Sequence, residues 1–381
     1  MRSPLFEISV LQEFEPLGEF GIFEFPWVCT EGRNEWCIYI ISCIGKPLRR
    51  ILIHVWCSGE SVDEEVGGVG AVVIPDAPAL RAEAFGLIGY ELLPVLFVEE
   101  QEKLVSDESK CFSPKCRSIR YDNGSDTSYF FIHGFPTTPN MYEYPTKRLS
   151  DAGYDVYAPL IPTFGADPRE FEDTEFSQWF EFLKDRYLEE RRSHRHIHVV
   201  GVSMGGAMTL KLAETFSDTP DRMDTITVIA APVVYNSFWR DHIVTDKRVY
   251  IARTIMLFKK SLGGKTVDGR PDQKDGNEEW RGYDGIFLRP SLSFIWNLKK
   301  IRKDLGKITV PLLSIHDRND STVPFANQKI ITSEVSSSVL KIEEREMEDH
   351  GHSRHSLLMY NSSREEVTDD IMKFTKENGN A

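Results

Sequence analysis

No stretch of this chain reaches the roughly 18 consecutive apolar residues needed to cross a bilayer; the block Trp36 to Ile44 (WCIYIISCI) is too short. The first residues lack the basic segment and apolar run of a secretory signal, so a cytoplasmic location is expected. Basic residues are outnumbered, leaving a formal charge of −14. Nucleic acids and anionic membranes both attract basic faces, so neither is expected as a main partner. Cysteine is sparse: Cys29, Cys37, Cys43, Cys57, Cys111 and Cys116 all precede residue 117 and should be thiols in a reducing compartment. Cys111 and Cys116 have no matching Cys or His pair nearby, which argues against zinc. Gly67-Gly68-Val69-Gly70 lacks the third glycine of a dinucleotide fingerprint and the lysine of a phosphate loop, and reads as a turn. No internal repeat, His-Glu-x-x-His run or His-x-His-x-Asp-His run is found, so neither metal nor cofactor is expected.

What is present suits a globular protein of one large domain or two: 381 residues, 41% hydrophobic and 27% charged. Residues 1–110 read as an N-terminal extension or small accessory domain. Ile38–Ile41, Arg50–Val55 and Ala71–Ile74 look like strands, Arg81–Val98 could be a helix broken at Pro94, and the charged stretch Glu99–Lys110 suits a linker. From residue 111 to 381 strands and helices alternate. Strands are expected at Ser128–Ile132, Tyr154–Ala158, Ile197–Val202, Thr225–Ile229, Ile308–Ile315 and Val339–Glu343. Helices are expected at Met141–Ala152, Phe176–Arg192, Gly205–Phe216 and Arg364–Lys376. This order implies the α/β class, with a mostly parallel sheet covered on both faces. The segment Val233–Lys307 is too long for a connection. Its apolar pieces around Tyr250–Phe258 and Trp280–Trp296 read as two helical parts of a cap, joined by a polar, glycine-bearing loop at Gly263–Asn277.

The sharpest local signal is Gly201-Val202-Ser203-Met204-Gly205, with an apolar strand leading in and a helical run leading out. A serine on a strand-to-helix turn projects its hydroxyl clear of the backbone, and the flanking glycines remove side chains that would collide. Ser203 is the candidate nucleophile. The backbone N–H of Met204, opening the helix, would face a developing oxyanion.

A serine hydroxyl needs a base and an orienting acid, and for a serine on a strand-to-helix turn of this kind they are expected downstream in the order acid then histidine. Asp317 and Asp320 lie just past the apolar run Ile308–Ile315, where open α/β sheets keep their active sites. His350, His352 and His355 lie before the last helical run. Upstream, the strand Ser128–Ile132 runs into His133-Gly134-Phe135-Pro136. His194, His196 and His198 alternate along the entry to the elbow strand, and that strand accounts for their spacing without a metal.

With these pieces in place, the stretch from Ser128 onward resembles the α/β-hydrolase superfamily, and within it the small bacterial carboxylesterases and monoacylglycerol lipases. The resemblance is carried by His133-Gly134-Phe135, Gly153 to Leu160, Gly165 with Asp167-Pro168, Trp179, the Ser203 elbow, Asp320 with Val323-Pro324, and Ser353 with His355. It implies ester hydrolysis through an acyl-enzyme, beneath a lid that covers an acyl pocket. It favours Asp320 as the acid, leaving Asp317 as a turn residue, and His355 as the base, with His352 second and His350 third. It also implies that Phe135 supplies the second oxyanion N–H while His133 supports the loop. Thr163-Phe164-Gly165 stands where such proteins commonly carry Gly-His-Gly. The expected partner is a small-molecule ester with an acyl chain. Thioester cleavage, aminopeptidase action on the same residues, or non-catalytic binding on the same scaffold are the alternatives, because one scaffold hosts many activities.

Overall fold

The computed structural model describes residues 104–379 apart from 240, 241, 246, 271–274 and 276–278, together with three strands that precede them. The chain divides into Met1–Glu102 and Lys103–Ala381. In the first unit β1 (Glu35–Ile38), β2 (Arg49–Ser58) and β3 (Gly70–Ala77) form an antiparallel meander, with Trp36 opposite Cys57 and Leu52 opposite Val73. Of the expected turn at Gly67–Gly70, residue 70 is the first of β3 and the rest lie outside the described residues, as does the expected helix at Arg81–Val98. The division falls before residue 110 because the charged stretch is not all linker. Leu104, Cys111 and Phe112 pack against the core of the second unit, and the Phe112 N–H donates to Gly165 O at 2.8 Å.

The second unit is built on a seven-stranded sheet. In chain order its framework is β4 (Ile119–Tyr121), β5 (Thr127–Ile132), α1 (Glu143–Asp151), β6 (Asp155–Ala158), α2 (Pro168–Phe171), α3 (Phe176–Ser193), β7 (His196–Val202), α4 (Met204–Phe216) and β8 (Thr225–Ile229). The insertion follows, with β9 (Asn236–Trp239), β10 (His242–Thr245), α5 (Lys247–Met256), β11 (Ser261–Arg270), β12 (Trp280–Phe287) and α6 (Leu288–Asp304). The chain returns to the sheet through β13 (Leu312–Asp317), α7 (Ala326–Glu334), β14 (Leu340–Arg345) and α8 (Arg364–Asn378). The strand order is β14-β13-β8-β7-β5-β6-β4, and every neighbouring pair is parallel except the edge pair β4 and β6.

Alternation along the strands divides the core between two faces. Phe130, Ile132 and Val199 join the aromatic cluster built with α3 and α4. Tyr129, Phe131, Val200 and Val202 join the cluster built with α1 and α8. Tyr129 pins α8 to the sheet through a 2.6 Å hydrogen bond to Thr375 Oγ1. From β5 the chain first builds β6 on one side and then crosses back to lay β7 on the other. The loops leaving β5 and β7 therefore diverge, and such a point opens a crevice at the carboxyl ends of the strands.

The insertion differs from the expected pair of helices joined by a loop. Part of Gly263–Asn277 is strand, because β11 pairs antiparallel with β12. The pairing is interrupted between Leu262 and Lys265 and between Asp268 and Arg270, where Gly263 and Gly269 take φ of 70° and 84°. Glycines of this kind accommodate bulges in a ladder, and by composition alone they read as loop. Among the described residues, no helix is long and apolar enough to cross a membrane.

One buried carboxyl is costly to the fold. The side chain of Glu214 on α4 is 1% exposed, its Oε2 accepts from Lys211 at 3.1 Å, and its Oε1 has no partner among the described residues. Burial outweighs the Lys211 charge and pushes its pKa up to about 7 from 4.5. A raised carboxyl pKa means that the contribution to stability is complete below 4.5 and is lost as pH rises through about 7. Glu214→Gln should therefore be more stable than wild type at pH 8, by about 3 kcal/mol at most, with the gap closing towards pH 4.5. Thermal melts at the two pH values check this.

Candidate active site

Ser203 sits between β7 and α4 with φ 58° and ψ −122°, a backbone conformation that only a tight surrounding holds for a residue with a side chain. Its N–H donates to Ile229 O at 2.9 Å, and its carbonyl accepts from Ala207 at 3.1 Å as the helix begins. The glycines on either side are required by contact. A Cβ on Gly205 would lie 1.8 Å from Ile132 O, and one on Gly201 would lie 2.2 Å from Gly205 O. Beneath the turn the Tyr142 hydroxyl donates to Ile132 O at 2.6 Å and accepts from Val202 N at 3.1 Å, joining the ends of β5 and β7. Sequence reasoning did not single out Tyr142, because a buried tyrosine in a helical run carries no local mark of this bridge. The Met204 N–H belongs to the first turn of α4, where backbone donors have no partner within the helix.

The two acids occupy different surroundings. Asp317 is fully buried at the end of β13, and both its oxygens are taken by backbone, from Asn319 N and Met347 N at 2.7 Å each. It ties the turn after β13 to the exit of β14. Asp320 Oδ1 accepts from Thr322 N at 2.7 Å and Val323 N at 2.9 Å, which leaves Oδ2 for histidine. His355 Nδ1 lies 2.7 Å from Asp320 Oδ2. His316 Nε2 lies 3.3 Å from the same oxygen and 3.0 Å from Val323 O. Burial pushes the Asp320 carboxyl up, yet hydrogen bonds from His316 and His355 outweigh it and hold the pKa at about 2. Asp320 is thus an anion at neutral pH, and His355 Nδ1 carries the proton between them.

The three histidines before α8 also separate. His355 is buried on a short segment anchored by Leu357, Leu358, Met359 and Tyr360, all buried, and by the Ser363 hydroxyl, which donates to Leu357 O at 2.7 Å. The Ser321 N–H donates to Ser353 O at 3.0 Å, fastening the Asp320 loop to the His355 loop. His352 lies parallel to the Tyr360 ring at 3.8 Å, its Nδ1 accepts from Arg354 N, and its Nε2 lies 3.4 Å from Asp275 of the insertion. His350 is at the surface beside Glu348.

On the far side of Ser203, the loop after β5 is held from beneath. A Cβ on Gly134 would lie 3.5 Å from Ser203 Cβ, so this loop borders the serine directly. His133 is fully buried; its Nδ1 lies 3.0 Å from Gly134 O, and its Nε2 accepts from Ile161 N at 3.1 Å. Burial lowers its pKa to about 4, so the ring is neutral, with Nδ1 the donor and Nε2 the acceptor. The carbonyl of Gly134 and the N–H of Phe135 share one peptide plane and point in opposite directions. Fixing Gly134 O therefore aims the Phe135 N–H.

The histidines on the elbow strand do not converge. His194 meets Asp155 at 3.1 Å, His196 meets Asp224 at 3.0 Å, and His198 meets the Thr225 hydroxyl at 2.9 Å. Carboxylates accompany two of them, Asp155 and Asp224, on different histidines. Cys111 and Cys116 are free thiols.

Comparison with known proteins identifies the family. The model of the alpha/beta hydrolase family matches residues 129–369, well over half of the chain. The chain belongs to the alpha/beta hydrolase family. A thermostable monoacylglycerol lipase of Bacillus sp. (strain H-257) is 31% identical over 98 residues, a match spanning 26% of this chain and 39% of that protein. Among solved structures, one described with the metagenome-derived lipolytic enzymes LipS and LipT superposes with a TM-score of 0.58 at 20% identity, covering 70% of this chain and 99% of the other. The monoacylglycerol lipase of Paleococcus ferrophilus gives 0.53 at 17% identity, covering 68% and 98%. These two likenesses are of fold.

Within this family member the Thr163-Phe164-Gly165 departure has a packing explanation. Phe164 sits edge-on to His133 at 5.0 Å and to Trp179 at 5.1 Å, filling with a ring the space beneath the Phe135 loop. Thr163 and Gly165 take φ of 71° and 72°, and the Tyr283 hydroxyl from the insertion bonds to the backbone of Thr163 and Ala166.

Proposed function

We propose that this chain is a serine hydrolase of carboxylic esters, of the carboxylesterase or monoacylglycerol lipase type, working through an acyl-enzyme. Ser203 is its nucleophile, His355 its base and Asp320 the acid that orients the base. The observation that carries this reading is the 2.7 Å bond from His355 Nδ1 to an ionised Asp320. With Nδ1 engaged as donor, Nε2 keeps its lone pair and accepts the Ser203 proton as the serine oxygen bonds to the ester carbonyl carbon. The Met204 and Phe135 N–H groups receive the oxyanion, each worth about 3 kcal/mol in the transition state. Collapse expels the alcohol, which takes its proton from Nε2. Water, deprotonated by the same nitrogen, then releases the carboxylic acid and restores Ser203.

An acyl chain suits the side chains near the loop. Half-buried Phe135 and Phe294 stack at 6.1 Å, and Phe294 stacks on buried Phe176 at 5.8 Å, so α6 of the insertion brings an aromatic side chain against the loop beside the serine. Turnover should be found with p-nitrophenyl esters and monoacylglycerols and should exceed that of acyl-CoA thioesters and amino-acid anilides. Initial rates on the four substrate types check this. Turnover confined to anilides, or to thioesters, would overturn ester hydrolysis as the activity.

A further inference from the structure

We infer that the β11 and β12 hairpin of the insertion sets the oxyanion loop, with Gly282 and Thr137 as positioning residues for the Phe135 N–H. The inference rests on the proposed role of that N–H and names what holds it in place. The direction of the Phe135 N–H follows from the plane of its peptide, and Gly134 O in that plane accepts from Thr137 N at 3.2 Å as well as facing His133 Nδ1. Thr137 is in turn held by the hairpin. Its hydroxyl donates to Arg281 O at 2.9 Å, and its backbone forms an isolated antiparallel bridge with Gly282. On the other side of the bridge, the Tyr283 N–H donates to Pro136 O at 2.9 Å.

This approach is possible only because residue 282 lacks a side chain. A Cβ there would lie 2.2 Å from Pro136 O and 2.9 Å from Thr137 Cα, both backbone atoms of the loop. The hairpin is also stiffened where it meets the loop. Arg281 is 6% exposed and its Nε donates to Asp268 of β11 at 2.7 Å. A segment inserted after β8 thereby fixes a peptide that follows β5, and the chemistry near Ser203 depends on the cap as a support and not only as a cover.

The test is the ratio of turnover on an ester and on the matching thionoester, whose sulfur is poorly received by a site built for an oxyanion. This ratio is independent of how much of a preparation is active, so a merely structural loss leaves it unchanged. Gly282→Ala should lower ester kcat about 100-fold, the scale of losing one oxyanion donor, with KM within about threefold. The ester-to-thionoester ratio should fall at least about tenfold on the same basis. Thr137→Val, which keeps the backbone N–H and loses only the bond to Arg281 O, should lower the ratio about threefold and remains informative if Gly282→Ala does not fold. A high wild-type ratio that both variants leave unchanged would overturn the inference, while the oxyanion role of Met204 and the ester hydrolase reading would stand. A wild-type ratio near one would overturn the oxyanion role of Phe135, and the inference with it.

Discussion

Ser203→Ala is expected to abolish labelling by a fluorophosphonate and to lower ester turnover by about a millionfold, the scale seen when a serine nucleophile is removed from a working constellation. The protein should stay folded, because the serine owes its position to backbone contacts: its N–H to Ile229 O, the close approach of Gly205 to Ile132 O, and the Tyr142 bridge below. The backbone itself supplies a second readout. With φ 58° and ψ −122°, residue 203 occupies a region that a Cβ makes unfavourable by about 1–3 kcal/mol. Ser203→Gly should therefore be as inactive as Ser203→Ala and melt at a higher temperature. Differential scanning fluorimetry beside mass-spectrometric mapping of the label checks both. Labelling that survives in either variant would show that another residue is the nucleophile.

The strain at Ser203 also explains why this part of the site was legible in the sequence. A strand that must turn sharply into a helix, against a neighbouring strand, leaves glycines at fixed offsets, and Gly201 and Gly205 report contacts with backbone that no other residue permits. The alternation of apolar strands and amphipathic helices was legible for the same reason, since each strand of the sheet interior is buried on both faces. Other parts leave no such mark. The short edge strand Ile119–Tyr121 has three residues and no buried one, so periodicity has nothing to report. Half of the β11 and β12 hairpin read as loop because its bulges are made with glycine. Tyr142 and Thr137 act through hydroxyls that reach residues 60 and 144 positions away, contacts that exist only after the chain has folded.

The choice between neighbouring candidates, which the family resemblance makes in favour of Asp320 and His355, leads to the second large effect. Asp320→Asn should lower kcat about 10⁴-fold with little change in KM, because an amide at this position disfavours the tautomer with the proton on His355 Nδ1 and no longer stabilises the imidazolium. Asp317→Asn should do the reverse. Its oxygens accept from Asn319 N and Met347 N, so an amide sets an NH₂ against a backbone donor at one of them and costs about 1–3 kcal/mol of stability, while kcat stays within about tenfold. The histidines should divide along the same line. His355→Ala should lose fluorophosphonate labelling, whereas His352→Ala should keep it, since the His352 ring lies on Tyr360 with Nε2 towards Asp275 while Asp320 Oδ2 is engaged by His355. Steady-state kinetics and thermal melts on the four variants separate chemistry from support. A 10⁴-fold loss in Asp317→Asn without destabilisation, or labelling lost in His352→Ala and kept in His355→Ala, would reverse the assignment, because the group that orients the base must be the one whose charge the reaction feels.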